Sequence, residues 1–386
     1  MYSNLIVTVT RLLDILLNFQ VKHTDNLVKV SHFNNENVIL MKRWDEDSFY
    51  TNEFYNEHSI EVFAVIDDLT IYKTSYGNYK KFVHTLDSLF ITENDVDIVL
   101  TLPTRRVNHK NNEWFLNRIV NGHTIEQDFA KYTCLQEQNV ITYIVDTGID
   151  IEHPEFEGRA TWGANFADKE DSDCNMHGTH VAGLVGSKTF GVCKNANLVA
   201  VKVLNCEGSG SYSGVIRGLE WVYKQHMNNA GEQKSIINMS LGGGKSSIID
   251  KIIQKLVDTE AMFVVVAAGN ENNDACKTSP GGVLDAMTVM ATDSLDSRAY
   301  FSNWGECADI YSPGVNILST IPNGRTRMLS GTSMASPIVA GVMNHYVEQF
   351  PELNMRAIKE LMLQNSTKNA IKKNLNEKNY LVYLGQ

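Results

Sequence analysis

The chain has 386 residues, of which 43% are hydrophobic and 20% charged, and its formal net charge is −11. This length and composition are typical of a globular protein with about two or three domains and a large core. The negative charge and the absence of a Lys/Arg stripe argue against nucleic acid as a partner. No run of about 18 apolar residues without charges occurs, so we expect no membrane span.

Residues 1–30 form a leader of ambiguous character. The apolar runs at residues 5–10 and 12–19 are interrupted by Arg11 and Asp14, and no positively charged segment precedes them. These features make a poor signal peptide. An amphipathic helix or a disordered leader explains the same pattern equally well.

Residues 31–106 are rich in polar residues, and their periodic segments are short. Strands separated by one helix predict a small α+β domain. Residues 103–111 then have the composition of a linker, and the pair Arg105-Arg106 suggests a processing site, although a solvated loop is the commoner explanation of such a pair. The predicted strands are Asn37–Lys42, Glu61–Ile66 and Asp97–Leu102, and the predicted helix is Asn78–Phe90.

Residues 107–386 alternate short apolar runs with longer amphipathic stretches. Continuous apolar strands between helices predict an α/β fold with a mainly parallel central sheet and helices on both faces. In such sheets the ligand cleft lies at the carboxyl ends of the strands. The predicted strands are Val140–Val145, Leu198–Leu204, Ser235–Leu241, Met262–Ala267 and Ala286–Ala291, and the predicted helices are His180–Ser187, Ser213–Met227, Ser247–Asp258, Ser336–Gln349 and Met355–Gln364.

Three polar residues occupy positions suited to nucleophilic catalysis. Ser333 lies in a Gly-Thr-Ser turn that opens a helix, whose N-terminus favours developing negative charge. His177 begins a helix and could take the serine proton, while Asp146 follows a buried strand and could orient the imidazole. Taken singly, the serine could be a helix cap and the aspartate an Asx-turn.

Other polar residues near these positions allow different interpretations. Asn270 ends an apolar strand and could donate to an oxyanion above Ser333. We interpret His180, one helical turn after His177, as structural. The spacing Cys174-x-x-His177-x-x-His180 resembles that of metal ligands, but it lacks a convincing fourth ligand, so a zinc site is the less favoured alternative.

The order Asp146, His177, Ser333 along the chain is that of subtilisin, and it differs from the orders in chymotrypsin and the α/β-hydrolases. From about Trp114 to the C-terminal region, the chain resembles the subtilase family, and most closely its proteinase K-like branch. The matching segments are residues 146–149, 153–159, 177–183, 238–243, 267–270 and 331–335.

This resemblance implies an Asp146, His177 and Ser333 triad with Asn270 as the oxyanion donor. It also implies that substrate binds as an added strand, through main-chain hydrogen bonds that demand no single sequence. The pocket walls look small and apolar, which favours broad specificity. The implied substrate-binding residues are Gly208, Gly210, Tyr212, Ser240, Leu241, Gly242, Ala267, Ala268 and Gly269.

For residues 31–106, the resemblance implies an inhibitory propeptide that assists folding and leaves by self-cleavage. Residues 114–119 look like the start of the mature domain, which places the cut between Arg105 and Asn111. The peptidase domain would then be residues 107–386, made as a zymogen.

Related bacterial enzymes imply the disulfides Cys174–Cys206 and Cys276–Cys307, whereas Cys134 and Cys193 could pair or remain buried thiols. Disulfides indicate an oxidising compartment, so we expect a secreted or endomembrane-lumen protein despite the poor signal peptide. The resemblance also implies a structural Ca²⁺ on Asp309, completed by carbonyls near Leu284 and Ala286. An aspartate that simply ends a strand is the alternative.

These observations predict a monomeric serine endopeptidase that cleaves protein or peptide substrates through an acyl-enzyme intermediate. It would need no cofactor for its chemistry, and its own propeptide would inhibit it. An inactive binding or scaffold protein with the same fold is the alternative from a different class, although all four catalytic residues are present.

Overall fold

The computed structural model describes residues 37–42, 59–100, 114–121, 134, 139–229, 233–259 and 261–385. The leader, the pair Arg105-Arg106 and the cut predicted between Arg105 and Asn111 lie outside the described residues.

The N-terminal module contains an antiparallel sheet of four described strands, in the order β2-β3-β1-β4. Val38, Leu40, Tyr72 and Phe90 contribute to a small apolar core beside its helix. A short fifth strand, β5, follows this sheet and pairs elsewhere. The elements are β1 (Asn37–Lys42), β2 (Glu61–Ile66), β3 (Leu69–Ser75), α1 (Tyr76–Leu89), β4 (Phe90–Asn94) and β5 (Asp97–Val99).

The central sheet of the described chain has nine strands, in the order β16-β17-β13-β12-β11-β10-β6-β8-β7. All neighbouring pairs are parallel except β16 with β17. Every residue of β11 and β12 is buried, as expected for strands covered on both faces. The strands are β6 (Val140–Asp146), β7 (Ala160–Asn165), β8 (Asn197–Lys202), β10 (Lys234–Met239), β11 (Met262–Ala267), β12 (Met287–Thr292), β13 (Ile310–Pro313), β16 (Thr367–Lys368) and β17 (Tyr380–Leu381).

Helices connect these parallel strands, because two parallel neighbours need a long crossover between them. The same helices cover the faces of the sheet. Among the described helices, α3 packs against α6, α4 against α5, and α6 against α7. No helix in the described part of the chain is long and apolar enough to cross a membrane. The helices are α2 (Trp114–Val120), α3 (His177–Gly186), α4 (Tyr212–Asn228), α5 (Ser247–Asp258), α6 (Thr332–Gln349) and α7 (Met355–Asn365).

A hairpin, β14 (Ile317–Ile321) with β15 (Arg325–Leu329), packs against α3. The contact is close at Gly183, where an added Cβ would lie 2.1 Å from Oγ1 of Thr320. Glycine therefore lets α3 lie directly on β14. Because α3 begins with His177, this packing fixes the direction from which that side chain enters the site.

The predicted fold class is confirmed, and the observed elements refine its boundaries. The helix predicted from Ser336 begins at Thr332, which places Ser333 in its first turn. The strand predicted over Asp97–Leu102 is observed over Asp97–Val99. Sequence periodicity missed several strands, among them β3, β4, β7, β13, β16, β17 and the β14–β15 hairpin.

Both predicted disulfides, Cys174–Cys206 and Cys276–Cys307, are present. The open question about the remaining two cysteines is answered by a third bond, Cys134–Cys193, so no cysteine is free. In the chain-entropy model, loops of this length contribute about 3–4 kcal/mol each to the free energy of unfolding. The bond at Cys174 braces the segment that leads into His177.

Candidate active site

Except for His177, Ser333 and Asp309, the predicted site residues lie at or after the carboxyl ends of four adjacent strands, β8, β6, β10 and β11. Asp146 ends β6, and Ser240 follows β10 directly. Asn270 stands three residues after the end of β11. Neighbouring parallel strands bring their ends to one edge, so these residues, far apart in sequence, share one cleft.

Asp146 and His177 form a buried hydrogen-bonded pair. Nδ1 of His177 lies 2.8 Å from Oδ1 and 3.0 Å from Oδ2 of Asp146, and both side chains are inaccessible to solvent. The main-chain N–H of Thr147 also donates to Oδ1 of Asp146, at 2.7 Å. A carboxylate only accepts, so Nδ1 carries the proton and Nε2 is left as the basic nitrogen.

Asp173 holds the start of α3 beside the turn that follows β6. Its carboxylate accepts main-chain N–H bonds from Met176 at 2.9 Å and Thr179 at 2.8 Å, and a hydroxyl bond from Thr147 at 2.8 Å. A negative charge at a helix N-terminus is favourable. Sequence reasoning missed this residue, because it lies four residues before His177 and so outside the usual N-cap position.

Lys202 is a second positioning group that sequence reasoning missed. Its side chain is fully buried, and its ammonium donates to the carbonyls of Thr147 at 3.0 Å and Ser172 at 3.1 Å. It also lies 3.4 Å from Oδ2 of Asp168. It therefore ties the loop after Asp146 to the loop before His177. A lysine within an otherwise apolar strand was the available signal, because buried lysines are rarely unpaired.

Ser333 and Ser240 hold each other through reciprocal bonds. Oγ of Ser333 donates to the carbonyl of Ser240 at 3.1 Å, and Oγ of Ser240 donates to the carbonyl of Ser333 at 2.9 Å. The structure does not place a hydrogen bond between Ser333 and His177, and no described residue partners Nε2 of His177. Such hydrogen bonds are often formed only once substrate binds.

Asn270 is oriented by Thr332, the residue before the serine. Its Oδ1 accepts from both the main-chain N–H and the hydroxyl of Thr332, each at 2.9 Å. Because two donors fix the oxygen, the amide Nδ2 must point the other way. An added Cβ on Gly331 would lie 3.7 Å from that nitrogen, so the amide lies over the turn that carries Ser333.

The cleft beside these residues is occupied by β5 of the N-terminal module. It pairs antiparallel with β9 (Ser209–Ser211), with Ile98 opposite Gly210. The main-chain N–H of Leu100 donates to the carbonyl of Gly208 at 2.9 Å. The segment implied to bind substrate thus pairs with a strand of the chain itself.

Tyr212 and the residues that follow β10 lie near β5, the strand in the cleft. The Tyr212 hydroxyl donates to the carbonyl of Gly244. An added Cβ on Gly243 would lie 3.6 Å from Cγ1 of Ile98, so the isoleucine reaches the segment that follows Ser240, Leu241 and Gly242. Tyr212 is buried, which differs from an exposed turn residue.

The other implied pocket wall begins with Ala267, the last residue of β11, and continues with Ala268 and Gly269. The main-chain N–H of Ala268 donates to Val289, and the side chain of Asn303 donates to the carbonyl of Ala268, both at 2.9 Å. The main-chain N–H of Gly269 donates to the hydroxyl of Thr332 at 3.2 Å. This wall is therefore joined to the helix that carries Ser333.

The zinc alternative fails on the observed partners. Cys174 is bonded to Cys206, and Nδ1 of His177 faces Asp146. His180 binds main-chain carbonyls instead. Within the described residues, the two groups with metal-like spacing, Cys134/Cys193/Glu348 and Asp168/Cys174/Cys206, both depend on disulfide cysteines, which supply no thiolate.

The residues predicted to bind Ca²⁺ hold a lysine ammonium instead. Nζ of Lys359 lies 2.7 Å from Oδ2 of Asp309, 2.7 Å from the carbonyl of Leu284 and 2.6 Å from that of Ala286. Nζ of Lys378 lies 3.0 Å from the other carboxylate oxygen. The three oxygens already surround a cation, so the observed site does not fit a calcium ion.

His180 links α3 to the β14–β15 hairpin. Its Nε2 lies 2.9 Å from the carbonyl of Arg327 and 3.2 Å from that of Ile317. Carbonyls only accept, so this nitrogen carries the proton. Burial lowers the pKa of His180 from 6.5 to about 3, because the charged imidazolium cannot be solvated there.

Comparison with known proteins agrees with this geometry. The Peptidase S8 family model, described as the subtilase family, matches residues 137–380. This is more than half of the chain, so the chain belongs to the subtilase family. A crystal structure of a cold adapted subtilisin-like serine proteinase superposes with a TM-score of 0.66 and 41% sequence identity, over 71% of this chain and 98% of that one.

Curated relatives are similar to more than half of the chain. A subtilisin-like serine protease of Rhodotorula mucilaginosa is 50% identical over 218 residues, which are 55% of this chain and 64% of that protein. Cerevisin of Saccharomyces cerevisiae is 47% identical over 249 residues, or 62% of this chain and 39% of that protein. The chain therefore spans about two fifths to two thirds of the length of these relatives.

The pKa of His180 makes stability depend on pH. Between pH 6.5 and about 3 the unfolded chain binds a proton that the folded state does not, so the free energy of unfolding should fall as the pH falls. The slope from this residue approaches about 1.4 kcal/mol per pH unit. Chemical denaturation at a series of pH values should show a flatter acid limb for His180→Gln. Parallel acid limbs for the two proteins would contradict this role.

Proposed function

We propose that the protein is a serine endopeptidase in which Ser333 attacks the scissile carbonyl. The Asp146–His177 pair carries this proposal, because a buried carboxylate fixes the imidazole with Nε2 as its basic nitrogen. Rotation of the Ser333 hydroxyl away from the Ser240 carbonyl would let Nε2 take its proton and later give it to the leaving amine. The reaction would pass through an acyl-enzyme that water then hydrolyses.

Asn270 and the main-chain N–H of Ser333 would bind the oxyanion of the tetrahedral intermediate. Two features support this role: Thr332 fixes the orientation of the Asn270 amide, and Ser333 lies in the first turn of α6. Donors held in place before the reaction stabilise developing charge without having to reorganise.

Substrates would be extended protein or peptide chains that add a strand to β9. The pairing of β5 with β9 supports this mode, because its bonds are main-chain to main-chain. Main-chain hydrogen bonds do not depend on which side chains the substrate carries. The small residues Ala267, Ala268 and Gly269 at the other wall favour a broad, apolar preference. No cofactor enters this mechanism.

Residues 31–106 would be an inhibitory propeptide. Besides the β5–β9 ladder, its Glu93 accepts main-chain N–H bonds from Ser247 at 2.7 Å and Ile248 at 3.2 Å, at the start of α5. Asp95 accepts from the main-chain N–H of Ser213 at 2.9 Å, at the start of α4. Carboxylates at two helix N-termini would hold the propeptide against the cleft.

The first self-cleavage would fall close to Leu100. An added Cβ on Gly208 would lie 3.1 Å from Cδ1 of Leu100 and 3.2 Å from the side chain of Asn175, which is two residues before His177. Leu100 therefore lies close to Asn175 across Gly208, and for this reason we place the cut shortly after Leu100. This position precedes the range Arg105 to Asn111 that the sequence favoured.

The three disulfides support folding in an oxidising compartment, either outside the cell or in the endomembrane lumen. In that setting a propeptide bound in the cleft would keep the enzyme inactive until it is released.

Self-processing tests the proposed activity. The wild-type chain should yield a new N-terminus within two residues after Leu100, whereas Ser333→Ala should stay intact, because no nucleophile remains. Intact-mass spectrometry of both proteins, purified in parallel, measures this. A Ser333→Ala chain that is cut at the same bond at the same rate would exclude self-cleavage by Ser333.

The contacts of Glu93 should prolong the time for which the cleaved propeptide stays bound in the cleft. Glu93→Gln should shorten the lag before activity appears by about tenfold, since a charge-assisted contact at a helix N-terminus contributes about 1–2 kcal/mol. Hydrolysis of a fluorogenic peptide by the full, self-processed chain reports the lag. Glu61→Gln, an exposed carboxylate on β2, is the matched control. Equal lags for both variants would show that Glu93 does not anchor the propeptide.

A further inference from the structure

We propose that Lys359 acts as a built-in cation, which takes the place of a structural metal ion between Asp309 and the carbonyls of Leu284 and Ala286. The structure would therefore be stabilised at this point without calcium. The proposal does not depend on the peptidase activity.

The oxygen set is the starting point. Two main-chain carbonyls and one carboxylate converge on a single point, and such a set suits a hard cation. Nζ of Lys359 lies at that point, 2.6–2.7 Å from each of the three oxygens. An ammonium has three N–H donors and no acceptor, so the three oxygens use all of its hydrogen-bonding capacity.

Burial makes the contact energetically significant. Asp309 is 4% exposed and Lys359 13% exposed at their side chains. A buried carboxylate without a cation would be strongly unfavourable. The main-chain N–H of Thr288 also donates to Oδ2 of Asp309 at 3.0 Å, so the carboxylate is held against the start of β12.

The local charge also disfavours a second cation. Lys378 contacts Oδ1 of Asp309 from the other side, so one carboxylate already faces two ammonium groups. A divalent ion entering here would have to displace Lys359 and would still be repelled by Lys378. The two lysines differ in burial, because Lys378 is 39% exposed.

The positions of Lys359 and its oxygen partners in the fold show which elements the ammonium connects. Lys359 lies on α7, while Leu284 and Ala286 precede β12 and Asp309 precedes β13. The lysine thus joins a helix near the C-terminus to the loops that enter two central strands. A metal ion would join those loops to each other but not to α7.

Thermal unfolding in excess Ca²⁺ and in excess EDTA tests this inference. The full chain carrying Ser333→Ala is the parent, which prevents self-digestion during heating if the proposed function holds and is harmless if it does not. Lys359→Met keeps the stem of the side chain and removes its charge. We expect its Tm in EDTA to fall by roughly 5 °C or more, and Ca²⁺ to restore a substantial part of that loss.

Two further variants serve as controls. Lys378→Met should show the same Tm difference between Ca²⁺ and EDTA as the parent, because it leaves the three-oxygen site filled. Asp309→Asn should also leave the parent's difference unchanged, because the parent holds no calcium there. The comparison of Asp309→Asn with the parent still tests the inference if Lys359→Met fails to fold.

Three results would overturn the inference. The first is an EDTA-induced loss of Tm in the parent that disappears in Asp309→Asn, since this would place calcium on Asp309. The second is a Tm for Lys359→Met in EDTA equal to that of the parent. The third is a destabilised Lys359→Met that gains nothing from Ca²⁺, which would show that the three oxygens do not form a cation site.

Discussion

The buried hydrogen bond between Asp146 and His177 is the contact on which the site depends. A carboxylate fully removed from water needs strong compensation, and here it receives the imidazole N–H and the main-chain N–H of Thr147. Asp173 and Lys202 then fix the two loops that bring the partners together. Rigid support of this kind keeps Nε2 directed into the cleft.

The same edge of the sheet explains how one chain could hold both an active site and its inhibitor. The short strand β9 follows β8 beyond this edge, and it pairs with β5 rather than with the central sheet. Side-chain contacts of the N-terminal module lie next to the ladder, at the start of α4, and at the start of α5. Main-chain pairing would thus serve any substrate, whereas the carboxylates of Glu93 and Asp95 would favour the propeptide.

Sequence patterns predicted the parallel sheet and residues that the fold brings into one cleft, because buried strands have continuous apolar runs and the motifs lie at their ends. A lysine in an apolar run pointed to Lys202 as a buried, paired residue, but the pattern could not show that its partners are the carbonyls of Thr147 and Ser172. Sequence patterns also could not show that β5 fills the cleft, which depends on long-range register. They also could not show that Nζ of Lys359, distant in sequence, lies against Asp309, where on our proposal it takes the place of the expected calcium ion.

The most direct test of the catalytic arrangement is the rate at which a fluorophosphonate probe labels the mature enzyme, followed by peptide mapping. Labelling should occur on Ser333 alone. Asp146→Asn should slow it by about 10⁴-fold, because an asparagine amide can donate to Nδ1 and leave the proton on Nε2. An adduct on another residue, or equal rates for the wild-type protein and Asp146→Asn, would contradict the proposed role of the buried pair.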